Sequence, residues 1–132
     1  MSAGTDATAP WLSGPVGWDA SPESTVASGI TARSRVAAHL SASVYRLAPH
    51  AVVPHHAHPS EELGYVIGGG LRMTCGDGDE FVVRAGDTFF VTANTPHSAV
   101  ALAEGCELLE CYSPPRVPAP QGEAQEGEVP TT

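Results

Sequence analysis

Between residues 33 and 113 the chain consists of short apolar segments separated by residues that favour turns. Gly76-Asp77-Gly78-Asp79 is a strong hairpin signal, and Ala85-Gly86-Asp87 marks a second turn. No window of about 11 residues shows the spacing of an amphipathic helix. The apolar segments predict strands at Arg35–Leu40, Ser43–Leu47, Val52–His58, Leu63–Ile67, Leu71–Cys75, Phe81–Arg84, Thr88–Thr92, Ser98–Leu102 and Cys106–Tyr112. Many short strands at regular intervals predict an all-β sandwich or barrel.

The two ends of the chain differ from this central part. Residues 1–32 are rich in Ser, Thr, Ala, Gly and Pro, so we expect an N-terminal arm that is only partly ordered. Trp11 and Trp18 interrupt its polarity, and we expect the segment between them to pack on the barrel or on a partner subunit. Residues 33–113 form the predicted barrel. Residues 114–132, rich in Pro and Glu, are predicted to be a disordered tail.

An apolar run at Phe89-Phe90-Val91 bears on assembly. Consecutive strand residues face opposite sides, so one of the two Phe rings should point away from the barrel interior. An exposed aromatic ring of this kind marks an interface. We therefore predict a homodimer, to which residues 11–18 contribute.

Composition narrows the choice of partners. The formal net charge is -9, and all six basic residues are Arg. Neither a nucleic acid nor an anionic membrane surface is therefore an expected partner. Cys75, Cys106 and Cys111 are an odd number without tight spacing, which predicts free thiols. The first residues show no signal-peptide pattern and no stretch approaches the length of a membrane span, so a cytoplasmic location is expected.

Histidine residues concentrate among the predicted strands. His56 and His58 are two residues apart, so on a strand their imidazoles project from one face. A short turn and a returning strand would bring Glu62 alongside them, and His97 could close the site from another strand. Neutral imidazoles with one carboxylate suit a divalent ion such as Zn, Fe, Ni or Mn. Three His and one Glu leave coordination positions open to water or substrate.

These residues lie on motifs through which the sequence resembles the cupins. The first cupin motif is G-x5-H-x-H-x3,4-E-x6-G, and its last four fixed positions are occupied here by His56, His58, Glu62 and Gly69. The motif spacing selects Glu62 rather than its neighbour Glu61 as the acidic ligand. The resemblance covers about residues 40–113.

The second cupin motif is G-x5-P-x-G-x2-H-x3-N, and here Gly86 and His97 match at the family's spacing. The departures from the two motifs are His50 for Gly, Thr92 for Pro, Asn94 for Gly and Ala101 for Asn. None of them removes a ligand. Because His and Asn tolerate positive φ better than most residues, we expect the turns at positions 50 and 94 to be kept.

The resemblance implies a double-stranded β-helix, the jelly-roll barrel of RmlC-like cupins, with one divalent metal ion inside it near one mouth. The implied ligands are His56, His58, Glu62 and His97. Neighbouring His55 and Glu61 should face the other way, since adjacent strand residues point to opposite faces. Residues that could point into the barrel and touch a substrate are Arg46, Tyr65, Arg72, Glu110 and Tyr112.

The resemblance also implies a small-molecule enzyme. Small stand-alone cupins similar to this chain include polyketide cyclases and sugar-acid enzymes, which favours non-redox Lewis-acid chemistry by a cyclase, isomerase, dehydratase or lyase. A metal-dependent dioxygenase is the alternative, and a non-catalytic cupin that binds a small ligand is the second alternative. The Lys-free composition, rich in Ala, Gly and Pro, is consistent with bacterial specialised metabolism.

Overall fold

The computed structural model describes residues 15–118, which form eight antiparallel strands and a 3₁₀ turn at Trp18–Ala20. The strands are β1 (Ser24–Ala27), β2 (Ile30–Val36), β3 (Ser41–Leu47), β4 (Val52–His56), β5 (Glu61–Cys75), β6 (Asp79–Arg84), β7 (Thr88–Val91) and β8 (His97–Ser113). Buried and exposed residues alternate along β3 and along the first half of β5, as the pleat of a strand requires. Within residues 15–118 no helix is long and apolar enough to cross a membrane.

Two long strands, β5 and β8, organise the fold. They pair with each other from Glu61 and Ser113 at one end to Cys75 and His97 at the other. The first half of this ribbon continues into β3, β2 and β1 beside β8, and into β7 beside β5. The second half continues into β4 beside β8 and into β6 beside β5. Each long strand therefore belongs to both sheets, which confirms the predicted jelly-roll architecture.

The ribbon bends where both long strands carry glycine. Gly69 (φ 67°) and Gly105 (φ 78°) lie in the left-handed region, which favours glycine. A Cβ atom at Gly69 would overlap the carbonyl oxygen of Gly105, so the two backbones are in close contact here. The pairing register of β5 shifts on both sides of Gly69, between Val66 and Gly68 and between Gly69 and Leu71. Such irregularities bend a strand and change which residues face inward.

An apolar core fills the space between the sheets. Its buried residues are Ile30, Ala32, Tyr45, Leu47, Val66, Leu71, Met73, Val83, Phe89, Val91, Ala99, Ala101, Cys106, Leu108 and Tyr112. Phe89 is buried whereas Phe90 is 72% exposed, which confirms that one of the two consecutive rings points outward. The ring of Phe89 lies against Gly64, where a Cβ atom would overlap it. The three cysteines are free, as predicted, and Cys106 is buried.

The start of the sheet differs from the sequence prediction. The predicted strand Arg35–Leu40 is wrong, because β2 begins at Ile30 and ends at Val36. β1 precedes it, within the segment that the sequence assigned to the arm. β1 is the edge strand and contains Ser, Thr, Val and Ala, none of them fully buried. A strand of this kind carries little apolar alternation, which is the signal that sequence analysis reads.

Two turns form as the sequence predicts. His50 and Asn94 adopt positive φ, at 63° and 62°. Asn94 also donates its backbone N–H to the carbonyl oxygen of His58 at 2.7 Å, which ties the turn before β8 to the turn before β5. Of the two Trp residues in the arm, Trp11 lies outside the described residues. Trp18 is half-buried in the 3₁₀ turn, which contacts β2.

Replacing Gly69 by Ala should destabilise the fold much more than replacing Gly68. At Gly69 the added methyl group meets the Gly105 carbonyl and the backbone is strained, whereas a Cβ atom at Gly68 has nothing within 4 Å. We expect Gly69→Ala to lower the free energy of unfolding by about 1–3 kcal/mol, and Gly68→Ala to change it by less than about 1 kcal/mol. Urea unfolding of the two variants measures the difference, and equal unfolding midpoints would contradict the close contact.

Candidate metal centre

Three histidines meet where β4 ends and β8 begins. His56 is the last residue of β4 and is the ladder partner of His97, the first residue of β8. His58 lies in the turn that leads to β5, so β4 is two residues shorter than predicted. One donor atom from each of the three lies within 4.8 Å of the others. The ring centroids are 4.3 Å apart for His56 and His97, and 5.0 Å apart for His58 and His97.

Each of these imidazoles is held by a backbone carbonyl two residues away. The Nδ1–carbonyl distances are 2.8–2.9 Å, in the pairs His56–Pro54, His58–Ser60 and His97–Thr95. A carbonyl oxygen can only accept a hydrogen bond, so Nδ1 of each ring must carry the proton. In a neutral ring the Nε2 atom then has no proton and presents its lone pair. Metal-binding histidines are held in the same way, because the bond at one nitrogen fixes the tautomer and orients the other.

Glu62 adds a buried carboxylate to the cluster. Its side chain is 2% exposed, and its Oε1 lies 3.1 Å from Nε2 of His58 and 3.7 Å from Nε2 of His97. When the rings are neutral, each of these Nε2 atoms carries a lone pair and no proton. The two nitrogens and the carboxylate oxygen are then all hydrogen-bond acceptors, with no proton between them. A cation removes this conflict, either as a proton on one ring or as a metal ion shared by all. Glu61 is exposed, which confirms the predicted alternation.

The pKa values of these groups are shifted in different directions. Burial, together with the charge of His97, lowers the pKa of His56 to about 4. Burial also acts to lower the pKa of His97, but the hydrogen bond and charge of Glu62 outweigh it and raise that pKa. For Glu62, burial acts to raise the pKa, but hydrogen bonds with His58, His97 and Glu110 hold it well below its usual range. The carboxylate is therefore ionised over the whole physiological range.

Two of the residues predicted to line a pocket, Glu110 and Tyr112, lie beside this cluster. Tyr112 is 1% exposed, and its ring meets that of His58 edge-on with the centroids 5.7 Å apart. Its hydroxyl donates to Oε1 of Glu110 at 2.5 Å. Burial and the charge of Glu62 raise the pKa of Glu110 well above its usual range. The pKa values of the two carboxyl groups, Glu62 and Glu110, are therefore shifted in opposite directions.

The other three residues, which we expected to point into the barrel, point outward, and this corrects that expectation. The Arg46 side chain is 74% exposed and contacts Glu107 at 3.2 Å. Tyr65 is 40% exposed. The Arg72 side chain is 53% exposed and lies 3.8 Å from Glu80. None of these three side chains faces the histidine cluster.

Strand alternation explains why they point outward. On β3 the inward residue is Tyr45, so Arg46 must face out, and on the first half of β5 the inward residues flank Tyr65 in the same way. Arg72 lies an even number of residues from Glu62 and would share its face on a regular strand. The register shifts around Gly69 exchange the two faces, so that Leu71 and not Arg72 is buried.

Sequence analysis missed two residues that adjoin the site. Tyr45 is 7% exposed, and its hydroxyl lies 2.6 Å from that of Tyr112. The guanidinium of Arg116 lies 5.3 Å from the centroid of the Tyr112 ring. Its backbone N–H and carbonyl both bond the Ser41 hydroxyl at 2.9 Å. The alternation of β3 could have identified Tyr45, whereas Arg116 follows the last strand and carries no periodic signal.

A family model of the cupin domain matches residues 43–112. This chain is a member of the cupin family. The matched segment contains His56, His58, Glu62 and His97, and it also contains Tyr45 and Tyr112. All strands from β4 to β7 lie inside it, together with nearly all of β3 and β8.

Two curated relatives match about half of this cupin. It is 29% identical over 63 residues to the pectin degradation protein KdgF of Dickeya dadantii, and 40% identical over 68 residues to the oxalate decarboxylase OxdC of Bacillus subtilis. Each match covers 48% of this chain. The matched parts span 56% of the KdgF protein and 18% of OxdC, so the chain corresponds to only part of each.

Solved structures extend the similarity to about three quarters of the chain. KdgF from Halomonas sp. superposes with a TM-score of 0.68 at 26% identity, covering 74% of this chain and 90% of that one. An RmlC-like cupin from Shewanella frigidimarina gives 0.70 at 26% identity, covering 76% and 90%. Oxalate decarboxylase from Bacillus subtilis gives 0.68 at 28% identity, covering 75% and 29%. Another structure of that decarboxylase concerns its Mn(II) centres.

In the metal-free protein His97 should take up a proton at higher pH than His56. Contact with Glu62 raises the pKa of His97, whereas burial lowers that of His56 to about 4. NMR titration of the imidazole nitrogens measures both midpoints, and the reverse order would contradict the Glu62–His97 contact.

Because ligating rings must be neutral, metal occupancy should also fall as the pH drops below about 6. Occupancy unchanged at about pH 4.5 would mean that these rings are not ligands.

Proposed function

We propose that this cupin is a metal-dependent enzyme that acts on a small oxygen-bearing molecule, with His56, His58, His97 and Glu62 as the metal ligands. The observation that carries this proposal is the convergence of imidazole lone pairs on a buried carboxylate, with each Nδ1 proton already bonded to the backbone. Nitrogen and oxygen donors of this kind suit Zn, Fe, Ni or Mn, and four protein ligands leave positions for water or substrate.

The reaction class that we propose is non-redox: cyclisation, isomerisation, dehydration or lyase chemistry. A bound divalent ion would supply a Lewis acid for a substrate carbonyl or an enolate. The protein would supply orientation, since the Tyr112 ring packs edge-on against His58 and its hydroxyl bonds Glu110. The similarity to KdgF, a protein named for pectin degradation, supports chemistry on a small sugar-derived substrate.

An acidic substrate fits the charge around the site. The positive charge of Arg116 is close enough to act on the pKa values of His56, His97 and Tyr112, in each case lowering them. A guanidinium packed on the Tyr112 ring, which itself contacts His58, can bind the carboxylate of a substrate. Oxalate, the substrate named for the decarboxylase relatives, is an acid of this kind.

Redox chemistry by a metal-dependent dioxygenase is the second candidate, and one observation favours it. The decarboxylase relative contains Mn(II), an ion that can change its oxidation state. Elemental analysis of natively produced protein separates the two classes in part, because zinc supports only the non-redox class. Turnover of any candidate substrate separates both classes from a cupin that only binds its ligand.

Glu62→Ala should lose most of the bound metal, whereas Glu61→Ala should keep it. The first change removes the anionic ligand, and we expect metal affinity to fall by more than about 100-fold. The second removes an exposed carboxylate, whose local effect is small. Mass spectrometry of metal content after dialysis compares the two variants. Equal content in both would remove Glu62 from the ligand set.

We also propose that the chain forms a homodimer through the outer face of β5. Leu63, Tyr65 and Ile67 point outward there and are 36–44% exposed. Leu63 pairs with the exposed Phe90 on β7, and Tyr65 pairs with Leu109 on β8, so the apolar surface is continuous over three strands. These apolar side chains give a second copy of a chain of net charge -9 a surface that it can approach with little like-charge repulsion.

Phe90→Glu should convert the dimer into a monomer. The ring is 72% exposed in one chain, and a carboxylate in its place would meet apolar groups of the second copy across a two-fold interface. Val52→Glu places the same charge on β4, in the other sheet, and should leave the dimer intact. Light scattering at tens of micromolar measures the mass. A monomeric unmodified protein would contradict the dimer, and loss of the dimer in both variants would contradict this interface.

A further inference from the structure

Two buried serines hold the segment that follows β8. Ser41, the first residue of β3, is 2% exposed, and its hydroxyl bonds both the backbone N–H and the carbonyl of Arg116 at 2.9 Å. Ser60 is 3% exposed and donates its hydroxyl to the carbonyl of Pro114 at 2.7 Å. The backbone pairing of β8 with β5 ends at Ser113, so side-chain hydrogen bonds hold the residues beyond it.

The two bonds from Ser41 fix the backbone of one residue, Arg116. The Ser41 hydroxyl accepts the N–H of Arg116 and donates its own proton to the carbonyl of the same residue. Paired residues of antiparallel strands exchange the same two kinds of bond, so the hydroxyl takes the place of a strand partner. Ser41 is also the ladder partner of Tyr112, which places Arg116 and Tyr112 against one position of β3.

The Tyr112 ring connects Arg116 to the histidine cluster. The guanidinium carbon of Arg116 lies 5.3 Å from the centroid of that ring, within the range of a cation–π contact. The same ring meets the imidazole of His58 edge-on, with the centroids 5.7 Å apart. A guanidinium binds a carboxylate through two parallel hydrogen bonds, which requires a defined position and plane. Its backbone anchor at Ser41 therefore bears on what the site can bind.

We propose that Ser41 is a positioning residue: by fixing the backbone of Arg116 it holds the guanidinium on the Tyr112 ring, where it binds a carboxylate of the substrate. This rests on the proposed function, since it assumes an acidic substrate at the metal site. Without the hydroxyl, the N–H and carbonyl of Arg116 lose this anchor and the guanidinium samples more positions. Ordering it again on binding costs free energy, so affinity for the carboxylate falls.

Ser41→Ala tests the anchor itself in the metal-free protein. The change removes the acceptor of the Arg116 N–H, so we expect hydrogen exchange of this amide to become at least about 10-fold faster. Ser43→Ala is the matched control, because Ser43 is 0% exposed, faces the same side of β3 and bonds the hydroxyl of Ser34 instead. NMR measures the exchange rate, and an unchanged rate in Ser41→Ala would overturn the proposal.

Oxalate binding to the Zn²⁺-loaded protein tests the consequence for the site. Oxalate is the carboxylate probe, and imidazole is a neutral metal ligand that needs no guanidinium. We expect Arg116→Gln to weaken oxalate binding about 10-fold or more, as for a hydrogen bond between charged groups. Ser41→Ala should weaken it about 3–10-fold, and Ser41→Thr, which keeps the hydroxyl, should weaken it less. Imidazole affinity should stay within about twofold in these variants, and calorimetry measures both ligands.

A double variant shows whether Ser41 acts through Arg116. In the Arg116→Gln background, Ser41→Ala should change oxalate affinity by less than about twofold, and a full further loss would overturn the positioning role. Equal losses of oxalate and imidazole affinity in Ser41→Ala would overturn it too, because they indicate a merely structural role. An unmodified protein that binds no Zn²⁺ or no oxalate, or that is insensitive to Arg116→Gln, contradicts the proposed function and with it the role of Arg116.

Discussion

Three backbone carbonyls determine what this cluster of histidines can bind. By accepting the Nδ1 protons, the carbonyls of Pro54, Ser60 and Thr95 leave the Nε2 lone pairs as the groups that face one another and Glu62. Each carbonyl is two residues from its ring, so the local backbone sets the tautomer and distant packing is not needed. A buried carboxylate among lone pairs is unfavourable unless a cation joins them. The preference for a cation therefore follows from the conformation of short turns.

The bend of the β5–β8 ribbon at Gly69 and Gly105 is what brings Glu62 and His97 together. In the β5–β8 ribbon, His97 pairs with Cys75 and Glu62 pairs with Tyr112, at opposite ends. On a straight ribbon these ends would be roughly 40 Å apart, at about 3.3 Å for each of the intervening residues. In the folded chain the Nε2 atom of His97 is 3.7 Å from Oε1 of Glu62. The tight contact of Gly69 with Gly105 therefore serves the site as well as the fold.

The parts of the site that sequence could predict are those set by local spacing. His56 and His58, with Glu62 four residues later, are close in sequence, and the cupin motifs supplied His97. Side-chain direction was predictable wherever a strand is regular, as for Glu61 and Glu62 or for Phe89 and Phe90. It was not predictable for Arg72, because the register shift at the corner depends on contact between two distant strands. The Tyr45–Tyr112 contact likewise joins β3 to β8 and has no local signature.

Stability and function compete at this end of the barrel. The core residues Leu71, Met73 and Val83 bury apolar surface without polar cost, whereas the cluster buries the imidazoles of His58 and His97, half-buries that of His56 and buries the Glu62 carboxylate. Buried polar groups contribute only when every donor and acceptor is matched, and in the metal-free chain the Nε2 atoms and Glu62 are mismatched acceptors. An ion that binds only the folded chain stabilises it by RT ln(1 + [L]/Kd), which reaches about 2.7 kcal/mol at 100 times Kd. The folded chain should therefore be more stable with a cation in the proposed site than without one.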